Sequence, residues 1–369
     1  METTPTLDKY YRHLELTVDW ISRSIDRGRG GSCGYYLPPM GWSAPYPETT
    51  GYLIPTLLSL DPFFPARDLP VQAIRLGEWL LNIQLADGSW PGGFYRSRKS
   101  ARPSIFNTGQ VLKGLIALYE NTGESRWLES VGRGARWIIA GIDQDGLWTR
   151  KDYRARLTPS YYTEVARPLL QLWKISREDI FRRRAQGVLD AILARRQPDG
   201  TFSFWSFDER SPAFTHTIAY TLRGFMASAL LLEQWDRYGK PCERALETLW
   251  RKAELRNGRL PGVFTQGWKG DYRFSCLTGN VQIALCLLTW EDRERDLRLV
   301  NGAAKLVDFV CRKQRLQSSL PGVRGGVAGS DPLWGSYLPL RYPNWAAKYH
   351  CDALRVLINR LQRELGDND

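Results

Sequence analysis

The sequence predicts an all-α protein in which six helical hairpins form a single (α/α)6 toroid over residues 1–369. Helical stretches that end in a glycine-rich, aromatic turn recur along the chain, and each is followed by a second, more apolar helix. A hairpin of two helices cannot bury both of its faces alone, so six successive hairpins are expected to stack around a common axis. The less charged helices should then form an inner ring and the amphipathic helices an outer ring.

The first helix of each predicted hairpin is amphipathic and is stopped by a turn. The clearest copy is AIRLGEWLLNIQLADGSWPGGFY at residues 73–95, where apolar residues at helical spacing lead into Asp-Gly. Related stretches occupy residues 131–148 and 185–205, and weaker ones occupy residues 14–36, 245–264 and 303–327.

The second helix of each hairpin begins with polar or small residues and continues as an apolar run. The six predicted starts, 54 to 66 residues apart, lie near Glu48, Asn107, Tyr162, His216, Gly279 and Trp345. Their amino-terminal ends should meet at one mouth of the ring. Free backbone N–H groups and positive helix-dipole ends would make that mouth favourable for an anion.

The composition indicates a polyanionic partner. The net charge is +12, and aromatic residues make up 12% of the chain, which suits a cleft that stacks sugar rings. Zinc-finger, basic leucine-zipper and RNA-binding signatures are missing from the sequence, which argues against nucleic acid. We therefore expect an anionic oligo- or polysaccharide as the partner, and the oligomeric state stays open.

The six cysteines include no C-x-x-C pair, so we expect free thiols in a reducing compartment. The amino-terminal residues lack the apolar core of a signal peptide, and no stretch is long and apolar enough to span a bilayer. These observations predict a cytoplasmic protein with no integral membrane segment.

Residues Arg75–Trp90, RLGEWLLNIQLADGSW, resemble the QW motif of squalene–hopene cyclases, whose toroid is shared with protein prenyltransferases. The predicted fold and candidate site also resemble the toroids of polysaccharide lyases, uronyl C5-epimerases and several glycoside hydrolase families. The resemblance implies a toroid in which glutamine and tryptophan staple the helix ends. The sequence departs from the cyclases because it lacks their D-x-D-D acid motif; the nearest stretch is GIDQDGLW at residues 141–148.

The three histidines, His13, His216 and His350, show no zinc-ligand spacing. Neither a metal nor another cofactor is expected from the sequence.

Polar and aromatic residues at the predicted mouth are the candidate site. Candidate catalytic residues are Glu48, Tyr161, Tyr162, Glu164, His216 and Tyr220. Candidate substrate-binding residues are Asn107, Gln110, Trp205, Trp268, Asn280, Gln282, Trp334, Tyr337, Arg341, Trp345 and Lys348. Helix capping and hairpin stapling are the structural alternatives for the polar residues and the tryptophans, respectively.

These residue types favour an enzyme acting on a uronate-containing polysaccharide by lyase or C5-epimerase chemistry. By analogy with toroid lyases, His216 or Tyr220 would be the base, another tyrosine the acid, and Asn107 with Asn280 would neutralise the carboxylate. A glycoside hydrolase using Glu48 and Glu164 is an alternative. A terpenoid cyclase-like enzyme and a non-catalytic glycan-binding toroid also remain open.

Overall fold

The protein is described from a computed structural model, which covers residues 3–148, 158–208 and 211–366. These residues form twelve α-helices: α1 (Thr3–Arg27), α2 (Pro47–Leu60), α3 (Leu69–Ile83), α4 (Ile105–Thr122), α5 (Ser125–Ala140), α6 (Thr163–Ser176), α7 (Asp179–Leu193), α8 (Thr215–Leu232), α9 (Lys240–Glu254), α10 (Leu277–Glu294), α11 (Leu297–Lys313) and α12 (Asn344–Gly366).

The even-numbered helices form a closed inner ring, which confirms the predicted (α/α)6 toroid. Each packs against the next even-numbered helix, and α12 completes the circle by contacting both α10 and α2. The odd-numbered helices lie outside, with α1 packed against α12. The inner helices begin within two residues of the six predicted starts. Because the first and last hairpins close the ring, we propose that residues 1–369 form one domain.

Glycines allow neighbouring inner helices to approach closely. A Cβ atom built on Gly51 of α2 would lie 2.6 Å from the Val111 Cα of α4. One built on Gly114 of α4 would lie 2.2 Å from the backbone oxygen of Gly51. The contact between α2 and α4 is therefore backbone against backbone, which leaves no room for a side chain.

The predicted glutamine–tryptophan staple is present. The Gln84 amide nitrogen donates to the backbone oxygens of Gly88 at 2.8 Å and Ser130 at 3.0 Å, which ties the end of α3 to α5. The indole of Trp90 donates to the backbone oxygen of Leu80 at 2.8 Å. These bonds satisfy carbonyl groups around the helix ends.

Short antiparallel strands hold the loops above the inner-helix N-termini. One sheet has the order β2 (Gly41–Trp42), β1 (Tyr35–Leu37), β8 (Tyr342–Pro343). A second has the order β3 (Ala213–Phe214), β4 (Val263–Thr265), β5 (Lys269–Asp271), and a third pairs β6 (Ser275–Cys276) with β7 (Ser330–Asp331). In the first sheet Tyr36 pairs with Tyr342, so the loop before α2 is tied to the start of α12.

All six cysteines are free and buried, as expected. Among the described residues, none of the helices has both the length and the apolar character needed to cross a membrane.

Candidate active site

The N-terminal ends of α2, α4, α8 and α12, the turn before α6 and the adjoining loops surround a cavity of about 680 Å³. Helix spacing arranges side chains in layers below its mouth, because residues three or four apart lie on the same helix face. On α8, for example, His216 lies at the top, Tyr220 one turn below and Arg223 beneath both. The cavity is thus lined by the first turns of the helices, and ion pairs lie underneath it.

The structure brings nine of the sequence-predicted residues together around this cavity. They are Glu48, Asn107, Tyr161, Tyr162, His216, Tyr220, Tyr337, Arg341 and Trp345. Several of them contact one another directly. The rings of His216 and Tyr220 have centroids 4.3 Å apart, and the Trp345 indole donates a 2.9 Å hydrogen bond to the Tyr337 hydroxyl.

His216 is buried at the cavity wall, and its Nδ1 lies 2.8 Å from the side-chain oxygen of Gln282. In the orientation in which the Gln282 oxygen faces the ring, Nδ1 is the donor and Nε2 is left as the acceptor nitrogen. Burial lowers the pKa of His216 to about 4, against the opposing effect of the Gln282 hydrogen bond. The ring is therefore neutral near pH 7 and able to accept a proton.

The tyrosines at the cavity are proton donors rather than bases. Burial raises the pKa values of Tyr52, Tyr220 and Tyr337 well above the usual phenol value, and the nearby charge of Glu48 adds to that effect. Tyr220 is hydrogen-bonded to both Tyr52 and Tyr349, so connected phenols lead from the cavity down to the next layer. Each holds its proton at neutral pH and can give it to a developing anion.

Glu48 is the one carboxylate residue among the described residues that line the cavity. It lies in the first turn of α2 and is half-buried. Its negative charge contributes to the raised pKa values of three separate phenols, so it faces the centre of the aromatic site.

A buried ionic cluster lies below the cavity. Lys113 of α4 donates to the Glu164 carboxylate of α6, and the Nη1 atom of Arg223 lies 3.9 Å from the other carboxylate oxygen. Burial alone would raise the pKa of Glu164, but the charges of Lys113, Arg223 and Arg167 lower it to about 2. Burial lowers the pKa of Lys113 to about 7, so Arg223 and Arg167 are the two permanent cations near this carboxylate, and they give the region a positive balance.

Glu164, Gln110 and Lys348 were predicted at the site but lie in the layer below the cavity lining. Glu164 is fully buried in the cluster just described, and Gln110 accepts a 2.8 Å hydrogen bond from Lys113. Lys348 pairs with Asp352 at 2.6 Å, one turn further along α12. In each case a charged neighbour on an inner helix holds the polar group away from the cavity.

Asn280 and Gln282 of α10 do not line the cavity either. The Asn280 amide donates a 2.6 Å hydrogen bond to the backbone oxygen of Gly258, toward the turn that follows α9. Gln282 reaches the site only through its contact with His216. The expected pairing of Asn107 with Asn280 across one substrate carboxylate is therefore not formed.

Three of the four tryptophans predicted to bind substrate lie outside the cavity lining. Trp205 and Trp268 pack edge to face, with centroids 5.5 Å apart, and the Trp268 indole donates to the backbone oxygen of Asp199 at 3.0 Å. These contacts staple adjacent loops. Trp334 is 74% exposed and lies outside the set of lining residues.

Several residues that line the cavity were not predicted from the sequence. Tyr46 immediately precedes α2, Phe214 immediately precedes α8, and Phe106 is the second residue of α4. Their shared signal is an aromatic residue at the junction between loop and inner helix. The other lining residues outside the predicted set are Tyr35, Tyr52, Gly93, Phe94, Ser104, Phe207, Ser336 and Leu338.

Comparison with solved structures identifies toroid enzymes of carbohydrate metabolism as structural neighbours. Cellobiose 2-epimerase from Bacillus thermoamylovorans B4167 superposes with a TM-score of 0.76 and 13% identity, covering 98% of this chain and 100% of that one. An unsaturated glucuronyl hydrolase specific for heparin has a TM-score of 0.75 and 14% identity, covering 96% of this chain and 98% of that one.

The unsaturated glucuronyl hydrolase of Bacillus sp. GL1 has a TM-score of 0.73 and 12% identity, with 94% and 96% of the two chains covered. No protein-family model matches the sequence. No curated protein matches it. At these identities the likeness defines the fold, that of (α/α)6-toroid enzymes, and it carries nothing specific to squalene–hopene cyclases.

Proposed function

We propose that this protein is an enzyme that moves the C5 proton of a uronate residue in an acidic oligo- or polysaccharide, by lyase or C5-epimerase chemistry. The observation that carries the proposal is the pairing of a neutral imidazole, His216, with the protonated phenol of Tyr220 in one aromatic cavity. A base and an acid in contact are the two groups that proton transfer at carbon requires.

The C5 proton is acidified by the adjacent carboxylate of the uronate. In our proposal Nε2 of His216 takes this proton, and the resulting charge spreads onto the carboxylate oxygens. The positive balance of the cluster beneath the cavity favours that charge. The Arg341 guanidinium at the cavity wall binds the substrate carboxylate. The site chemistry is then consistent with the protein's net charge of +12.

The fate of the carbanion separates the two reactions. In elimination its electron pair forms the C4=C5 double bond, the C4–O bond breaks, and a phenol gives its proton to the departing oxygen. In epimerisation a phenol gives its proton to C5 from the opposite face, and no bond to oxygen breaks. Tyr220, in ring contact with His216, is the proposed acid for elimination. For epimerisation the proposed acid is Tyr52 of α2, the inner helix opposite α8, and its hydrogen bond to Tyr220 makes Tyr220 the residue that positions it.

Hydrolysis through Glu48 and Glu164 is not supported by their geometry. Such a pair must flank the scissile bond, and one member must be a protonated acid. Glu164 is fully buried below the lining and bonded to Lys113, so it does not reach a substrate in the cavity, and its pKa lowered to about 2 excludes it as the acid. The hydrolase and epimerase neighbours support a sugar-processing site without choosing its reaction.

The test is incubation of the purified protein with uronic-acid polymers in heavy water. Deuterium uptake at C5 reports epimerisation, and absorbance of the unsaturated product reports elimination. We expect Tyr220→Phe to lower either rate by about 10²–10⁴-fold. Tyr238→Phe is the matched control, because Tyr238 is equally buried but donates its 2.8 Å hydrogen bond to Asp190 in the outer ring.

Three outcomes would refute the proposal. The first is the absence of both exchange and elimination with every uronan. The second is release of reducing ends with no change at C5, which would indicate hydrolysis. The third is equal activity of the Tyr220→Phe and Tyr238→Phe proteins.

A further inference from the structure

A second cluster of reactive side chains lies away from the cavity, where the first and last hairpins meet. His13 lies on α1, Cys311 on α11 and His350 on α12, and all three are buried. One potential metal-binding atom from each lies within 4.8 Å of the other two. Helix α12 packs against both α1 and α11, and Lys9 of α1 forms a 2.5 Å ion pair with Asp308 of α11.

The ring of His13 is oriented by a neighbouring amide. The side-chain nitrogen of Gln314 donates to the Thr17 hydroxyl and to the backbone oxygen of Gly325, both at 2.7 Å. The amide oxygen must therefore face His13, and it lies 2.6 Å from Nδ1. Nδ1 carries the proton, so Nε2 presents a free lone pair, the arrangement typical of metal-binding histidines.

His350 has few polar contacts for a completely buried imidazole. Its Nε2 lies 3.9 Å from the Sγ atom of Cys311, and its Nδ1 has no hydrogen-bond partner among the described residues. Buried polar atoms normally have partners, since leaving one unpaired costs free energy. Nε2 has only the long contact to Cys311, so it is the nitrogen free to bond to a metal, and Nδ1 then carries the ring proton.

We propose that His13, Cys311 and His350 bind one Zn²⁺ ion, which clamps α1 to α11 and α12 where the toroid closes. One sulfur and two imidazole nitrogens form a ligand set that suits zinc and disfavours the hard ions Mg²⁺ and Ca²⁺. Bond lengths of about 2.0–2.3 Å place the ligand atoms of a tetrahedral site roughly 3.5 Å apart. The Sγ atom of Cys311 and Nε2 of His350 are 3.9 Å apart and all three ligand atoms lie within 4.8 Å, so the side chains would draw together around the ion.

Binding displaces the thiol proton of Cys311, so one proton is released and the thiolate bonds to the metal. A water molecule completes the four bonds. The ligands come from residues 13, 311 and 350, which explains why no motif with short ligand spacing is visible in the sequence.

The experiment measures metal binding to the full chain after removal of metals with a chelator. Titration with Zn²⁺ against a competing chromophoric chelator should show one tight site per chain. Co²⁺ should give thiolate-to-metal charge-transfer absorption, and X-ray absorption at the zinc edge should show one sulfur among the ligands. Zinc should also raise the melting temperature, with a stabilisation that grows with the logarithm of the free zinc concentration above Kd.

Variants locate the site. Gln314→Leu removes the group that orients His13, and it should weaken zinc binding by roughly 10–100-fold. Cys311→Ser and His13→Gln should weaken it further. Cys242→Ser is the matched control, because Cys242 is also buried but lies on α9 and bonds to the backbone oxygen of Tyr238 at 3.5 Å. It should bind zinc as the natural sequence does.

Less than one zinc per chain in the unsubstituted protein would overturn the proposal, as would a zinc shell without sulfur. Zinc binding that is unchanged in both Cys311→Ser and His13→Gln would overturn it as well. The measurements on the unsubstituted protein decide the question even if a variant does not fold.

Discussion

Nδ1 of His216 and the side-chain oxygen of Gln282 are 2.8 Å apart, which joins inner helices α8 and α10 at the cavity wall. This contact selects the imidazole tautomer whose Nε2 can accept a proton. Gln282 does not line the cavity itself, so it acts on the proposed chemistry only through His216.

Replacing Gln282 with glutamate should change the pH dependence of C5 exchange. His216 has a pKa lowered to about 4, so the neutral form is present above that pH and is lost as the pH falls through it. A carboxylate next to Nδ1 would stabilise the imidazolium and raise this pKa. We expect the acid limb of the rate profile to move upward by about 1–3 pH units.

Gln282→Leu is the control for this change, since it removes the acceptor without adding charge. It should lower the rate without moving the acid limb upward. An unmoved limb in the Gln282→Glu protein would exclude His216 as the titrating base.

The toroid could be predicted because its signals are local. Each hairpin carries a helical pattern followed by a glycine-rich turn, as at Gly88, and this pattern recurs along the chain. The first turns of the inner helices were therefore placed correctly. The direction of each side chain could not be predicted, because the position of a residue in the first helical turn does not determine which neighbouring residue its side chain contacts. Asn107 lines the cavity, whereas Asn280 bonds to Gly258.

Interactions between distant residues left no signal in the sequence. Lys113 and Glu164 are 51 residues apart, and only closure of the inner ring brings them together. The same applies to His13 and His350, which lie near opposite ends of the chain.

Gly51→Ala should destabilise the toroid by about 1–3 kcal/mol, since a new Cβ would meet the backbone of α4 at 2.6 Å. The free energy of unfolding in urea measures the effect. Gly132→Ala on α5 is the matched control, because nothing lies within 4 Å of a Cβ built there. That substitution should leave stability unchanged or raise it by up to about 1 kcal/mol. Equal stability of the two variants would argue against the tight α2–α4 contact.

Lys113→Met should destabilise the protein by about 3–5 kcal/mol, because it removes a partner of the fully buried Glu164 carboxylate. The double variant Lys113→Met with Glu164→Gln should be more stable than the Lys113→Met single variant. Urea unfolding of the unsubstituted protein, the two single variants and the double variant gives the coupling free energy between the two residues. Additive effects would mean that the two groups do not interact.

The pairing of Glu164 with Lys113 should make the stability of the protein depend on pH. The pKa of Glu164 is lowered from 4.5 to about 2 on folding, so its contribution is fully present above about pH 4.5 and is lost as the pH falls toward 2. The Glu164→Gln protein should lose less stability than the unsubstituted protein over that interval. Identical acid unfolding curves would contradict this assignment.

Arg341→Ala should raise KM for a uronan by about tenfold or more while kcat changes little. Arg341 is half-buried at the cavity wall, with its guanidinium 5.2 Å from the ring centre of Tyr35. A charge-assisted contact to a substrate carboxylate contributes about 1.5–3 kcal/mol, and losing it equally in the ground and transition states raises KM alone. Arg256→Ala is the matched control, since Arg256 also stacks on a tyrosine, 4.1 Å from the Tyr272 ring centre, but lies outside the cavity lining. Equal KM values for the two variants, or a fall confined to kcat, would remove Arg341 from substrate binding.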